Sequence, residues 1–298
     1  AIAAVLLPLN EILSDPEMEM FPIEIVQAQL KENVGIDPLH ITNVKVVVGF
    51  PGPGGPQIGA VIELSKDYDI GDLNPELFRS TEPQEIDGFS VYSLDGPPGT
   101  VLHRKDARTW ILSMGGYLKP MMESRGETGQ LPKLVSGLGR QQGVTAVAVL
   151  EPIRPIVSGL LRQNAERLPE KLRELTQVSE LTDALIVNLD YQLMGGSVSV
   201  SAIAQDDAAA TELQRILNES IDYGRDVALQ MVAISSMRGT ETDKATYKYA
   251  ARVATKLTDA IRPTKSGNRV NVQLESNFAS TGVLVGLLLP AVQAAREA

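Results

Sequence analysis

Ala4-Val5-Leu6-Leu7-Pro8-Leu9-Asn10-Glu11-Ile12-Leu13 can be laid on Ala148-Val149-Leu150-Glu151-Pro152-Ile153-Arg154-Pro155-Ile156-Val157 with five identities. Each copy reads as a buried strand closed by a proline that opens a helix, because proline fixes φ and lacks only an N–H that the first helical turn leaves unpaired anyway. Outward from each copy the order of elements continues to agree. A second proline-initiated helix is expected near Pro22 and near Pro169. In the first, Ile23, Val26, Leu30 and Val34 recur at helical spacing and Gly35 stands where a C-cap belongs; the second is shorter, with Leu172, Leu175 and Val178. Each copy then presents a hairpin. Val44, Val46 and Val48 alternate toward Ala60, Ile62 and Leu64 across Pro51-Gly52-Pro53-Gly54-Gly55-Pro56, and Leu185, Val187, Leu189, Tyr191 and Leu193 lead through Gly195-Gly196 to Val198, Val200, Ala202 and Ala204. In the second hairpin Ser197, Ser199 and Ser201 lie opposite Asn188, Asp190 and Gln192, so one face of that sheet is expected to be wet.

Beyond the hairpins the halves diverge. The first offers a short helix over Leu73 to Phe78 and strands at Phe89 to Leu94, Thr100 to Arg104 and Thr109 to Met114. The second offers a long helix with Leu213, Ile216, Leu217, Val227 and Met231 as its buried stripe, then another with Ala245, Tyr249, Val253, Leu257 and Ile261. Thr240 with Asp243 three residues on makes a capping-box start for that last helix, and Pro263 stops it. A strand from Arg269 to Glu275 comes next, with Val270, Val272 and Leu274 inward. Strand, helix, hairpin, helix, strand is the order of a split βαβ unit. The expectation is therefore an α+β protein of two related halves with mostly antiparallel sheets packed by helices: a first half over residues 1–143, a second over 144–276, and a hydrophobic helical tail over 277–298.

Composition narrows the chemistry. The 298 residues carry 27 Lys+Arg against 37 Asp+Glu, for a net charge of −10 without a basic cluster, so nucleic acid is not an expected partner. With no cysteine, disulfides, thiol catalysis, iron–sulfur clusters and thiolate zinc sites are excluded. The two histidines, His40 and His103, stand far apart in sequence and read as structural or surface residues. The Pro51–Pro56 loop lacks the Lys-Ser/Thr of a phosphate loop and joins strand to strand, so it reads as a hairpin turn. Asp67-Tyr68-Asp69-Ile70-Gly71-Asp72 lacks the distal glutamate of a calcium loop and reads as helix capping. No nucleophile elbow or His-Glu-x-x-His occurs. No catalytic residue, metal ligand or cofactor site is assigned, and neither a metal nor a nucleotide is expected to bind tightly.

The tail is the unusual segment. From Gly282 to Val292 eleven residues carry no charge, too few for a bilayer span of about twenty. Val283-Leu284-Val285-Gly286-Leu287-Leu288-Leu289-Pro290-Ala291-Val292-Gln293-Ala294-Ala295-Arg296-Glu297-Ala298 closely resembles the second half of the hydrophobic amino-terminal segment of type IV pilin-like and pseudopilin-like proteins. The form is the one abundant in planctomycete envelope proteins. Here the segment comes after Asn277-Phe278-Ala279-Ser280 rather than a Gly-Phe-Thr-Leu-type peptidase site, and it lies late in the chain, so a processed pilin is not implied and no functional residue is carried over. Phe21-Pro22-Ile23-Glu24-Ile25 and Gly35-Ile36-Asp37-Pro38-Leu39 are also similar to uncharacterised planctomycete proteins.

These readings give an expectation: a non-catalytic extracytoplasmic protein that self-assembles or scaffolds a structure at the cell envelope, as a homo-oligomer or with other envelope proteins. It would lie near a membrane without spanning it. The assembly residues are expected to be Val283, Leu284, Leu287, Leu288, Pro290 and Ala291, buried against another subunit or against the chain's own second half. The alternative is an envelope binding module for a peptide, lipid or polysaccharide, which an apolar groove would favour. A hydrolase working through Asp/Glu alone stands third and would need a buried carboxylate pair in a cleft.

Overall fold

The computed structural model describes residues 1–16, 18, 22–52, 55, 57–114, 116–124, 129–138, 143–192, 195–235 and 240–277. They form an α+β protein whose strand pairings are antiparallel. Two compact units result: residues 1–149 together with 188–192, and residues 150–187 together with 195–277. The tail residues expected to carry assembly, Val283 to Ala291, lie outside the described residues.

In the first unit β1 (Ala3–Leu7) gives way at Pro8 to α1 (Leu9–Leu13), and α2 (Ile23–Val34) starts after Pro22. Gly35 closes α2 as expected: it takes φ 94°, its N–H donates to the Lys31 carbonyl at 3.0 Å, and a Cβ there would stand 2.3 Å from the Asp72 carbonyl oxygen. β2 (Ile41–Val48) and β3 (Ile58–Leu64) form the hairpin, with Val44 opposite Ile62 and Val46 opposite Ala60. The helix expected over Leu73 to Phe78 is absent. Two single 3₁₀ turns replace it, Ile70–Asp72 capped by Asp69 and Pro75–Leu77 capped by Asn74. Two caps and a proline within seven residues leave no room for an α-helical nucleus, which must fix several residues before its first bond forms. The chain continues through β4 (Gln84–Ile86), β5 (Phe89–Ser93), β6 (Val101–Arg104), β7 (Thr109–Ser113), α3 (Leu118–Glu123), α4 (Gln130–Gly137) and β8 (Val144–Val149).

The strand order of this unit is β8-β1-β2-β3-β7-β6-β5-β4, and strand alternation gives it two cores. Leu64, Leu102 and Trp110 pack on one side with Ile36 and Leu73, and Trp110 is 1 % exposed. Val91, Val101 and Ile111 pack on the other with Leu118 and Met121 of α3 and its neighbour Met122.

In the second unit Pro152 lies inside a 3₁₀ turn, Glu151–Ile153, and α5 (Arg154–Asn164) starts later with Pro155 in its first turn. The helix expected at Pro169 is a 3₁₀ run over Glu170–Gln177 that passes into α6 (Val178–Leu181). The spacing of its apolar residues gives the reason: Leu172, Leu175 and Val178 recur every three residues, the 3₁₀ period, not every 3.6. β9 (Thr182–Gln192) and β10 (Gly195–Ala204) are followed by α7 (Asp207–Ser235), α8 (Glu241–Ala260), β11 (Thr264–Ser266) and β12 (Arg269–Asn277). The strand order here is β9-β10-β12-β11. Ala202, Ala204 and Val270 lie under Ala210 and Leu213 of α7, and Leu213 is fully buried. The face expected to be wet is wet only in part. Ala184 and Ile186 of β9 and Ile203 of β10, on the serine side, are buried, because an apolar residue enters that side's alternation near one end of the strands.

Candidate functional site

α7 begins at a cap, where the Asp206 carboxylate accepts from the Ala209 N–H at 2.7 Å. Its first turns press Ala210, Leu213 and Ile216 into the core. From Leu217 to its end no described α7 side chain is fully buried. The expected stripe fails there: Val227 is only half-buried and Met231 is 62 % exposed. On α8 the expected Tyr249 is exposed, and the buried positions are Ala250 and Thr258. The stripe turns because these halves of the helices face each other and not a sheet.

Small residues sit where the two helices meet. Gly224 and Ala228 on α7, and Ala250 and Ala254 on α8, leave unfilled a cavity of about 400 Å³ whose longer walls are Ile221, Leu229, Val232, Leu257 and Ile261. Two polar side chains reach it and both are already engaged. The Thr258 hydroxyl donates to the Ala254 carbonyl at 2.6 Å. Arg225 pairs with Asp222 at 3.2 Å and Asp226 at 3.0 Å. The groove therefore presents hydrocarbon, with no unpaired group asking for a polar partner.

Polar links hold one end of the helix pair together. Arg262, just past α8, donates to Asn218 at 3.2 Å and Asp222 at 2.8 Å, and Gln214 donates to the Pro263 carbonyl at 2.9 Å. The hydrogen bond with Asp222 holds the Arg262 guanidinium above its ordinary value. Arg215, raised in the same way, joins Glu212, Glu219 and Glu174, and its bond lowers the Glu212 carboxyl. These groups are solvent-facing, so the links set register more than stability.

Elsewhere the sequence's polar candidates are structural. His40 Nδ1 lies 2.6 Å from the Tyr68 hydroxyl, and His103 Nδ1 lies 2.9 Å from the Ser90 carbonyl. Asp69 and Asp72 exchange capping bonds with the local backbone. Among the described residues no group of three or more His, Asp or Glu side chains is placed to hold a metal ion, and no helix is long and apolar enough to cross a membrane. The groove itself was missed by the sequence reading. Its signal was present as small residues four apart on both helices, Gly224/Ala228 and Ala250/Ala254.

No family model matches the chain, and no curated protein matches it. Among solved structures it is similar to three crystal forms of TP0453. Form I matches at 12% identity over 97% of this chain and 94% of that one, with a TM-score of 0.44. Form III matches at 10% identity over 92% and 89%, with a TM-score of 0.44. Form IV matches at 10% identity over 96% and 92%, with a TM-score of 0.46.

Proposed function

We propose that the protein is a non-catalytic, extracytoplasmic binding module of the cell envelope, and that the α7–α8 groove takes one extended apolar chain such as a lipid acyl tail. The observation that carries this reading is the groove: a 400 Å³ hydrocarbon-walled space whose one charged lining residue, Arg225, is neutralised by its own neighbours. Such a space lies within the size range of small-molecule sites. Eight methylenes moved from water into it would gain ~6 kcal/mol at ~0.8 kcal/mol each, before the cost of ordering the chain is subtracted. Envelope placement rests on the resemblance carried by residues 283–298. Titration with a fluorescent single-chain fatty acid tests the reading. Saturable one-site binding that a plain alkyl alcohol displaces is expected, and the absence of saturable binding overturns it.

A second reading, self-assembly into an envelope scaffold, is favoured by the apolar tip of α7, where Met231 and Ile234 are both more than half exposed. Sedimentation of the full chain and of the double variant Met231→Lys, Ile234→Lys tests it: concentration-dependent association lost in the variant is expected. We also infer that the two halves descend from one duplicated unit. In support, α5 starts 145 residues after α1, at Arg154 against Leu9, and the same offset pairs the buried Ala4 with the buried Val149. The spacing differs by one from the 144 of the sequence identities.

A further inference from the structure

We propose that the α7–α8 groove selects its ligand by length: it takes a single straight acyl chain of about 12–14 carbons, and affinity gains nothing from carbons beyond that. The inference rests on the binding reading above and adds the class of chain. Three properties of the groove lead to it.

The first is its extent. The described lining runs from Ile221 to Val232 on α7 and from Ala250 to Ile261 on α8, 11 residue steps on each helix, or ~16 Å at 1.5 Å per residue. The two walls also stand level. Bonds from Arg262 to Asn218 and to Asp222 set residue 262 beside the turn 218–222. Counting antiparallel from there puts Ile261 level with Ile221, Ala254 with Ala228 and Ala250 with Val232. Carbon–carbon bonds of ~1.5 Å meeting at ~111° advance ~1.25 Å each along an extended chain, so ~16 Å holds about 13 carbons. Volume gives the same number by another route: at the ~30 Å³ that a water-sized group takes up in a liquid, about 400 Å³ holds about 13 methylenes.

The second is that both ends are defined. At one, the Arg262 bonds and the bond from Gln214 to the Pro263 carbonyl cross from helix to helix, and a chain continuing there would have to break charged hydrogen bonds. At the other, α7 ends three residues past Val232, at Ser235. The next residue on the groove face of α8 is the exposed Tyr247, three before Ala250 and seven before Ala254. Carbons beyond that point leave the two helical walls. The third is the scale of the lining. Eleven described residues form it, whereas a stable protein partner engages about 20–30 residues a side, so the occupant is one slender molecule and not a second copy of the chain.

Displacement of the fluorescent fatty acid from the full chain by straight-chain fatty acids of 8 to 18 carbons, each below its aggregating concentration, tests the proposal. Affinity is expected to rise about threefold per carbon from 8 to 12 and to stay within about twofold from 14 to 18. The variant Ala254→Leu blocks the groove part-way and leaves seven residue steps to Ile261, ~10 Å or about eight carbons. There the 8- and 14-carbon acids are expected to bind within about twofold of each other. Ala245→Leu, at an exposed position on the opposite face of α8, is the control and is expected to keep the parent's limit. Both variants are checked for fold by circular dichroism, and the parent series decides alone if Ala254→Leu does not fold. A parental affinity that keeps climbing to 18 carbons overturns the proposal, as does a limit that a folded Ala254→Leu leaves unmoved or that Ala245→Leu shifts equally. These results leave the binding reading standing; only the absence of saturable displacement at every length refutes that reading as well.

Discussion

Gly224 provides the sharpest test of the groove. It stands at the middle of the 29-residue α7, and a Cβ built there meets no atom within 4 Å. Glycine inside a helix costs about 1 kcal/mol relative to alanine, because its backbone loses more freedom on folding. Gly224→Ala has no clash to offset that gain, so it is expected to stabilise the second unit by about 1 kcal/mol, a rise of roughly 3 °C in its melting transition. Gly224→Phe puts a ring into the same open space. Its helix propensity lies between those of glycine and alanine, so stability is expected to stay within ~0.5 kcal/mol of the parent. The ring displaces the volume an acyl chain would use, and affinity for the fluorescent fatty acid is expected to fall at least about tenfold, or ~1.4 kcal/mol. Thermal melts followed by circular dichroism, with binding titrations on the same samples, read both effects. Two results refute the reasoning. If Gly224→Ala lowers stability, the space above Gly224 is not open. If Gly224→Phe folds with the parent's stability and binds with unchanged affinity, the groove is not the site.

Three further outcomes are expected. Leu213→Ala empties a fully buried position between α7 and the sheet and is expected to cost about 2–5 kcal/mol in urea unfolding, whereas Met231→Ala, at an exposed position, is expected to change little. Arg154 donates to the Ser179 carbonyl at 3.1 Å, the Thr182 carbonyl at 3.2 Å and the Asp183 carboxylate at 2.6 Å; Arg154→Met is expected to cost roughly 1–3 kcal/mol, with a smaller effect refuting its role in joining α5 to β9. Burial alone would raise the Asp37 carboxyl, but hydrogen bonds from the Gln27 amide and the Leu39 N–H, with the charges of His40 and Lys31, together hold it below its ordinary value. A carboxyl lowered on folding adds stability above its unfolded value of about 4 and loses it as pH falls through the folded one, so Asp37→Asn is expected to destabilise at pH 7 and to converge with the parent near pH 2.

How much of this was legible in the sequence depended on whether one residue's neighbours in the chain were also its neighbours in the fold. The hairpins, the Gly35 cap, the Thr240 capping box and the core position of Trp110 are local or alternating features, and the structure places them as expected. The Leu73–Phe78 helix and the Pro152 helix start were misread because proline and capping residues mark where a helix can start without fixing its length or its type. The stripe of α7 was misread for a different reason. Leu213 and Met231 look alike in a periodicity count, yet one meets the sheet and the other meets solvent. Only the length of the surface under a helix decides that, and periodicity does not carry it.

That mismatch of lengths is also the physical origin of the groove. At 1.5 Å per residue the 29 residues of α7 span ~43 Å. The ten residues of β10 span ~33 Å at 3.3 Å each. A helix that starts just past the end of β10 and runs back along the strands therefore overshoots them. The overhanging turns have α8 as their partner, and helix pairs close fully only when ridges of larger side chains fill the grooves opposite. At Gly224, Ala228, Ala250 and Ala254 those ridges are missing, so the helices meet around a space and not across a seam. Filling it would be simple for the sequence, since a Cβ added at position 224 meets no obstacle. A helix centre that forgoes about 1 kcal/mol to stay empty is better explained by something that enters the space than by packing. If paired substitutions such as Gly224→Leu with Ala254→Leu raise stability and abolish fatty-acid binding together, the trade is demonstrated; if they raise stability with binding intact, the emptiness of the groove has no bearing on function.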